Sequence, residues 1–370
     1  MRVPLYDLKV QNGPLKEQFL AAVENVMTHQ RFVMGEEISA FESEMASYCG
    51  AEHAIAVSSG TDALLLALMA NDVRPGDEII TSAFTFFATA GVIHRLGAKP
   101  VFVDIDPDTF NLASGRLEEA ITPNTKGIIP VHMYGRCAPM AEILEIAERH
   151  QLYVVEDAAQ AVGARMSLGV AGAIGDAGCL SFYPTKNLSA LGDAGMVLTK
   201  SDALAERMRK LRIHGSPDNS EYLEVGGNFR MDTMQAAFLS VKLNRLEEWS
   251  AKRRENARKY HERFEAGGII GERFTPPSFP DEGHVFHQYA VRTPERDALQ
   301  EYLLRNEVGS AVYYPSPLHL HPCFDSYRQG DFPESEAAAA QVLSLPVYPE
   351  LTGEDLDYVA DTVIQFFSVR

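Results

Sequence analysis

The stretch "AIAVSSGTDALLLALMA", Ala54 to Ala70, holds the unit from which the fold is read. Ala54 to Val57 form a short apolar run with no polar face, as in a strand covered on both sides. Two serines, a glycine and a threonine then turn the chain, and a helix follows. The same grammar recurs downstream. "EIIT" (78–81) precedes a helix over "FFATAGVIHRLG" (86–97), and "PVFVDI" (100–105) is a strand. "KGIIPVHM" (126–133) precedes the helix "MAEILEIAERH" (140–150), and "YVVED" (153–157) is a strand ending in acid. "GCLSFY" (178–183) and "GMVLT" (195–199) complete the set. Strands separated by helices of this length imply a mostly parallel α/β sheet flanked by helices on both faces. In such sheets ligands gather at the carboxyl ends of the strands and in the turns beyond.

Near Asp232 a long amphipathic stretch begins, "DTMQAAFLSVKLNRLEEWSAKRRENARKYHERF" (232–264), and carries the chain into a second unit. The expected division is a large α/β domain over 1–249, with an N-terminal helical arm, and a small α+β domain over 250–370. In the latter, "GGIIGERFTPPSFPDEGH" (267–284) reads as a loop, "HQYAVR" (287–292) as a strand and "PERDALQEYLLRN" (294–306) as a helix.

The 370 residues carry 33 Lys and Arg against 51 Asp and Glu, a net charge of −18 that repels nucleic acid and anionic lipid. Cys49, Cys137, Cys179 and Cys323 lie far apart, with no C-x-x-C pair and no metal-ligand spacing, and read as thiols in a reducing cytoplasm. The N-terminus "MRVPLYDLKVQNGPL" has no apolar signal core, and the longest apolar run, Ala63 to Ala70, is too short to span a bilayer. A cytoplasmic location is expected, with no metal, no nucleic acid and no membrane partner. G-x-G-x-x-G after an early strand, G-x-x-x-x-G-K-[ST], H-E-x-x-H and G-x-S-x-G are all absent, which disfavours nicotinamide and nucleoside-triphosphate enzymes.

Four features sit where the sheet grammar puts strand ends. Ser59, Gly60 and Thr61 lie at a strand-to-helix turn, where free N–H groups and the helix dipole favour an anion; an N-cap alone would look the same. Asp157 ends an apolar strand, so its carboxylate needs a cation or must serve as a cap. Lys186, in "SFYPTKNL" (181–188), follows a buried strand; a partly dry site lowers its pKa and makes it a nucleophile, whereas a surface loop would leave it an ordinary cation. Asn228 and Arg230, in "GGNFRMD", precede the long helix. Together these supply what pyridoxal phosphate requires: an anion seat, a carboxylate for the ring nitrogen and an amine for the aldehyde.

At this point the chain resembles the sugar aminotransferases of the DegT/DnrJ/EryC1/StrS family, within the fold-type I pyridoxal-phosphate enzymes. The motifs "SSGTDAL", "EDAAQAVGA", "SFYPTKNL" and "GGNFRMDTMQAA" carry the resemblance, which runs from "VPLYDL" to "LPVYPEL". It implies a seven-stranded sheet, a smaller C-terminal domain and a homodimer with shared sites. It further implies that Lys186 binds the cofactor covalently and that Asp157 partners the pyridinium nitrogen. By the same likeness Gln160 contacts the ring, Phe86 stacks on it, and Gly60, Thr61 and Ser181 seat the phosphate. Asn228 matches an asparagine from the neighbouring subunit. In "LGDAGM" (191–196) Ala194 stands where the family has a glycine, for which a local backbone adjustment is expected.

The resemblance implies amino transfer from an amino acid, glutamate by family likeness, with the cofactor cycling through pyridoxamine phosphate. The acceptor would be a nucleoside-diphosphate keto sugar, 3-keto in preference to 4-keto, in amino-sugar synthesis for a surface polysaccharide or lipopolysaccharide. Tyr313, Tyr314 and His319, in "YYPSPLHLHP", and Arg230 are candidates for substrate contacts. The rivals are a sugar dehydratase, in which histidine would replace the lysine, another lyase of the same fold, and a non-catalytic regulator that binds the cofactor.

Overall fold

The computed structural model describes residues 1–216, 221–279, 283–327 and 330–368. Its strands are β1 (His53–Val57), β2 (Glu78–Ser82), β3 (Lys99–Val103), β4 (Thr125–Ile129), β5 (Tyr153–Asp157), β6 (Arg165–Met166), β7 (Gly169–Val170), β8 (Ala177–Ser181), β9 (Gly195–Thr199), β10 (Tyr289–Arg292) and β11 (Val342–Leu345). Seven of them form one sheet in the order β1-β9-β8-β5-β4-β2-β3, parallel except for β9. The mostly parallel seven-stranded sheet expected from the sequence is therefore present.

Strand alternation divides the core. Ala54, Ala56, Leu180, Met196 and Leu198 face the helices Glu36–Cys49 and Thr233–Leu243. Ile55, Val57, Val155, Cys179 and Val197 face the opposite way, onto Gly60–Ala70 and Asp202–Leu211. The helix Gly60–Ala70 is packed between the sheet and the helices Phe87–Arg95 and Asp202–Leu211, which explains its run of leucines. A separate cluster of Tyr260, Phe264, Phe274, Tyr289, Leu343 and Phe366 surrounds the antiparallel pair β10–β11, and Val3 joins it.

The register at one edge of the large sheet prepares the site. Gly195 pairs with Val57 on one side and Ser181 on the other, and Asp157 pairs with Cys179. The chain segments that leave Val57, Ser181 and Asp157 thus emerge side by side.

The long stretch from Asp232 is a pair of helices, Thr233–Leu243 and Leu246–Ala266, separated by a turn at Asn244 and Arg245. The Asn244 amide donates to the Ser240 carbonyl, and Arg245 N–H to the Lys242 carbonyl, closing the first helix. Leu243 and Leu246 stay on the first core, and beyond the turn Tyr260 and Phe264 reach the C-terminal cluster. Residues 267–279 and 283–284 of the predicted loop hold only isolated bridges, and 280–282 lie outside the described residues. Among the described residues no helix is long and apolar enough to cross a membrane.

Candidate active site

At that edge lies a cavity of about 560 Å³, the size of a small-molecule site. The strand-end segments meet in it: Ser59, Gly60 and Thr61 after β1, Phe86 after β2, Asp157 and Gln160 at β5, Ser181 and Lys186 at β8, with Tyr313 and Tyr314 from the C-terminal part.

The anion seat is built by close packing. The first N–H groups of the helix Gly60–Ala70 have no acceptor within the helix. Ser59 caps it, accepting from Asp62 N–H at 3.1 Å, so the Gly60 and Thr61 N–H groups remain for a ligand. A Cβ on Gly60 would sit 2.8 Å from Ser181 Cβ, and one on Gly195 would sit 2.3 Å from the Ser59 carbonyl carbon. Glycine at both positions lets three strand ends close up. Ala194, by contrast, keeps its φ outside the left-handed region and is buried where the core borders the cavity, so the close approach needs only Gly195 of the pair.

Asp157 is buried. Its Oδ2 accepts from the Thr89 hydroxyl at 2.8 Å and its Oδ1 from Ala159 N–H at 3.2 Å. Burial raises its pKa, against those two hydrogen bonds and the fields of Lys186 and His132. A buried carboxylate held by two neutral donors is short of a cation. Behind it Glu156, on the other face of β5, accepts from the N–H groups of Gly172, Ile174 and Gly175 and pairs with His132 at 2.8 Å. Those bonds hold Glu156 below the usual carboxylate range, so it serves the loop and not the cavity.

Lys186 sits in the turn after β8, where its N–H donates to the Tyr183 carbonyl at 2.8 Å. Burial lowers its amine to about 8, with Asp157 pulling the other way. No hydrogen-bond acceptor for the amine is found among the described residues. The next residue, Asn187, anchors the turn through its amide to the Val285 carbonyl at 3.0 Å.

Gln160 is committed at both ends: Oε1 accepts from Tyr134 N–H at 2.7 Å and Nε2 donates to the Tyr314 hydroxyl at 3.1 Å. Phe86 is 53% exposed, opens onto the cavity and lies 5.9 Å from the Tyr314 ring between centroids. Its position suits a ring-stacking face better than core packing.

Three sequence-based candidates lie elsewhere in the chain. Asn228 is exposed and pairs with Ile213, and Arg230 pairs with Val57 beside β1; neither lines the cavity. His319 is fully buried, with its ring 4.5 Å from Phe332 and Nε2 3.1 Å from Glu336. His319 does not line the cavity; it lies against the small apolar cluster that holds Leu318, Phe324 and Phe332. The cavity also includes Tyr6, Thr85, Tyr183 and His287, none singled out from the sequence. Tyr6 comes from the N-terminal arm, and Thr89, the partner of Asp157, sits on the helix Phe87–Arg95, where only the neighbouring Phe86 was singled out. No local pattern marks either one.

The residues present fit pyridoxal phosphate: among the described residues, an amine with no hydrogen-bond acceptor and a buried carboxylate with no ion-pair partner, beside helix N–H groups packed too tightly for a Cβ. The fold and this cavity define a pyridoxal-phosphate enzyme of fold-type I. The chain belongs to the DegT/DnrJ/EryC1/StrS aminotransferase family, whose pattern it matches over residues 14–364, and it is an aminotransferase. It is 47% identical to the pleiotropic regulatory protein of Geobacillus stearothermophilus over 99% of both chains. It is 40% identical to the UDP-N-acetyl-3-dehydro-alpha-D-glucosamine 3-aminotransferase of Acidithiobacillus ferrooxidans, over 98% of this chain and 97% of that one. The crystal structure of DesV from S. venezuelae, in complex with a ketimine intermediate, superposes with a TM-score of 0.95 at 39% identity, over 99% of this chain and 98% of that one.

Proposed function

We propose that the protein transfers the amino group of glutamate to a nucleoside-diphosphate 3-keto sugar, working in the cytoplasm as a homodimer. The observation that carries this reading is the meeting of the Lys186 amine and the Asp157 carboxylate on one cavity with the Gly60–Thr61 turn. The 3-dehydro sugar in the name of the Acidithiobacillus relative supports the 3-keto position.

In this reading Lys186 holds pyridoxal phosphate through its amine, Asp157 holds a proton on the ring nitrogen, and Gly60, Thr61 and Ser181 hold the phosphate. Bound there, the cofactor supplies an electrophilic carbon and a charged ring that accepts the electron pair left when the donor's α-C–H bond breaks. Lys186 would take the proton from that α-carbon as general base; a pKa near 8 leaves about a tenth of the amine unprotonated at pH 7 and about half at pH 8. Phe86 and Gln160 position the ring, and Tyr313 and Tyr314 face the sugar. Asn228, exposed in its own chain, would complete the site of a second copy, and Arg230 lies close to it in sequence. A division into a large domain over 1–249 and a small one over 250–370 would put the cavity between residues of both. The complete lysine and carboxylate set favours catalysis over a regulatory role, whatever the name of the Geobacillus relative, and Lys186 itself stands against the dehydratase.

The test is spectral and chemical. The purified protein is expected to be yellow, to bleach with glutamate, and then to aminate UDP- or dTDP-linked 3-keto sugars faster than 4-keto ones. A colour unchanged by every amino donor would sink transamination; a preference for 4-keto sugars would sink the regiochemistry alone.

A further inference from the structure

The segment from Ala311 to Leu318 carries Tyr313 and Tyr314 across the cavity. It is anchored at its ends, where Ala311 and Ser344 exchange backbone hydrogen bonds and Leu318 N–H donates to the Ala83 carbonyl at 2.7 Å. Between those anchors Pro315 and Pro317 have no N–H to offer. Among the described residues, the hydrogen bonds from the middle of the segment to the rest of the chain are two. The Tyr134 hydroxyl donates to the Tyr313 carbonyl, and Gln160 Nε2 donates to the Tyr314 hydroxyl.

Both lead back to one residue. Tyr134 N–H donates to Gln160 Oε1 at 2.7 Å, so Tyr134 touches Tyr313 directly and Tyr314 through Gln160. Its carbonyl accepts from Gln288 N–H at 3.3 Å, and the carbonyl of Gly135 accepts from Val285 N–H at 2.9 Å, which ties in the strand approach that carries His287. Tyr134 has φ 57, a left-handed conformation that a tyrosine adopts only when its surroundings impose it. It is buried, packs edge-on against Phe110 at 5.3 Å, and does not line the cavity.

We propose that Tyr134 is a positioning residue that couples the tyrosine segment to Gln160 and sets the affinity of the sugar half of the reaction while leaving the amino-donor half alone. The inference rests on the proposed sugar substrate, and it concerns a residue with no part in the chemistry. Loss of the phenol frees the Tyr313 carbonyl and leaves the segment held at its ends and by Gln160.

The experiment uses the Tyr134→Phe holoenzyme, with glutamate and with UDP-linked 3-keto N-acetylglucosamine or dTDP-linked 3-keto-6-deoxyglucose, each half-reaction followed separately by absorbance. The expected result is a KM for the keto sugar raised about five- to tenfold, the loss of one hydrogen bond. Its kcat and both constants for glutamate are expected to stay within about twofold. Hydrogen exchange of the full chain is expected to quicken in peptides covering 311–318 and not in those covering 60–70. In the double variant with Tyr314→Phe, which cuts the second tie, the effect on KM is expected to differ from the product of the single effects. An equal rise in KM for both substrates, or unchanged exchange over 311–318, overturns the proposal. A wild-type protein inert towards every keto sugar overturns the functional reading instead, and the exchange experiment still decides the tie.

Discussion

Lys186 and Lys242 invite comparison. Burial pushes both amines down to about 8, and each has one acidic residue whose field opposes the shift, Asp157 for Lys186 and Glu350 for Lys242. Their surroundings differ. Lys242, on the helix Thr233–Leu243, is sealed from solvent, donates to the Ser189 hydroxyl at 2.7 Å and lies 6.0 Å from the Trp249 ring. Lys186, three residues before Ser189, opens onto the cavity with no acceptor for its amine among the described residues. A lowered pKa marks desolvation, which structural and reactive lysines share. Access and an unmet hydrogen-bond demand separate them.

The largest expected effect comes from removing the reactive amine. Lys186→Ala should lower turnover by at least about 10³-fold, since it deletes both the covalent anchor and the proton carrier. Borohydride reduction followed by peptide mass spectrometry should add the cofactor's mass to the peptide with Lys186 in the wild type, and to no peptide in the variant. A label on Lys242 would reverse the comparison.

Asp157→Asn comes next, with turnover expected to fall by about 10²-fold or more, because the ring nitrogen loses the group that keeps it charged. The same substitution sharpens the electrostatics. Asp157 raises the Lys186 pKa, so removing its charge should move that pKa further down from about 8. Covalent loading of the cofactor-free protein requires the unprotonated amine. Its rate should therefore rise with pH towards about 8 in the wild type, level off above, and reach its plateau at lower pH in the variant. A plateau displaced to higher pH would mean that some other group governs the amine.

Much of this was legible in the sequence because the large sheet repeats one grammar. Short apolar strands ending at Val57, Asp157 or Ser181 announce both the fold and the edge where ligands gather. What was not legible depends on register or distance. Nothing around Gly195 in the chain says that Ser59 will lie against it, and the packing of Thr89 onto Asp157 spans 68 residues. The turn at Asn244 and Arg245 interrupts an apolar spacing that continues through it, since it is set by the need of Tyr260 and Phe264 to reach another core. The burial of His319 away from the cavity was hidden for a related reason: a proline-rich segment has no periodicity from which to tell which side chains face in.

The smallest expected effect tests the other half of the comparison. Lys242→Met keeps the length of the side chain and removes the charge. If Lys242 is structural, turnover should stay within about threefold and cofactor loading should keep its pH profile. Stability should hold or rise, because a buried cation's desolvation commonly exceeds what its partners return. Opposing that gain, Ser189 loses its donor, a loss of about 1 kcal/mol, and Glu350 loses a cation that lowers its pKa. Thermal unfolding and stopped-flow half-reactions read the two outcomes separately. A hundredfold loss of turnover at normal cofactor loading would show that the Lys242–Ser189 bond holds the turn of Lys186 in its working position, and the two lysines would then form one device.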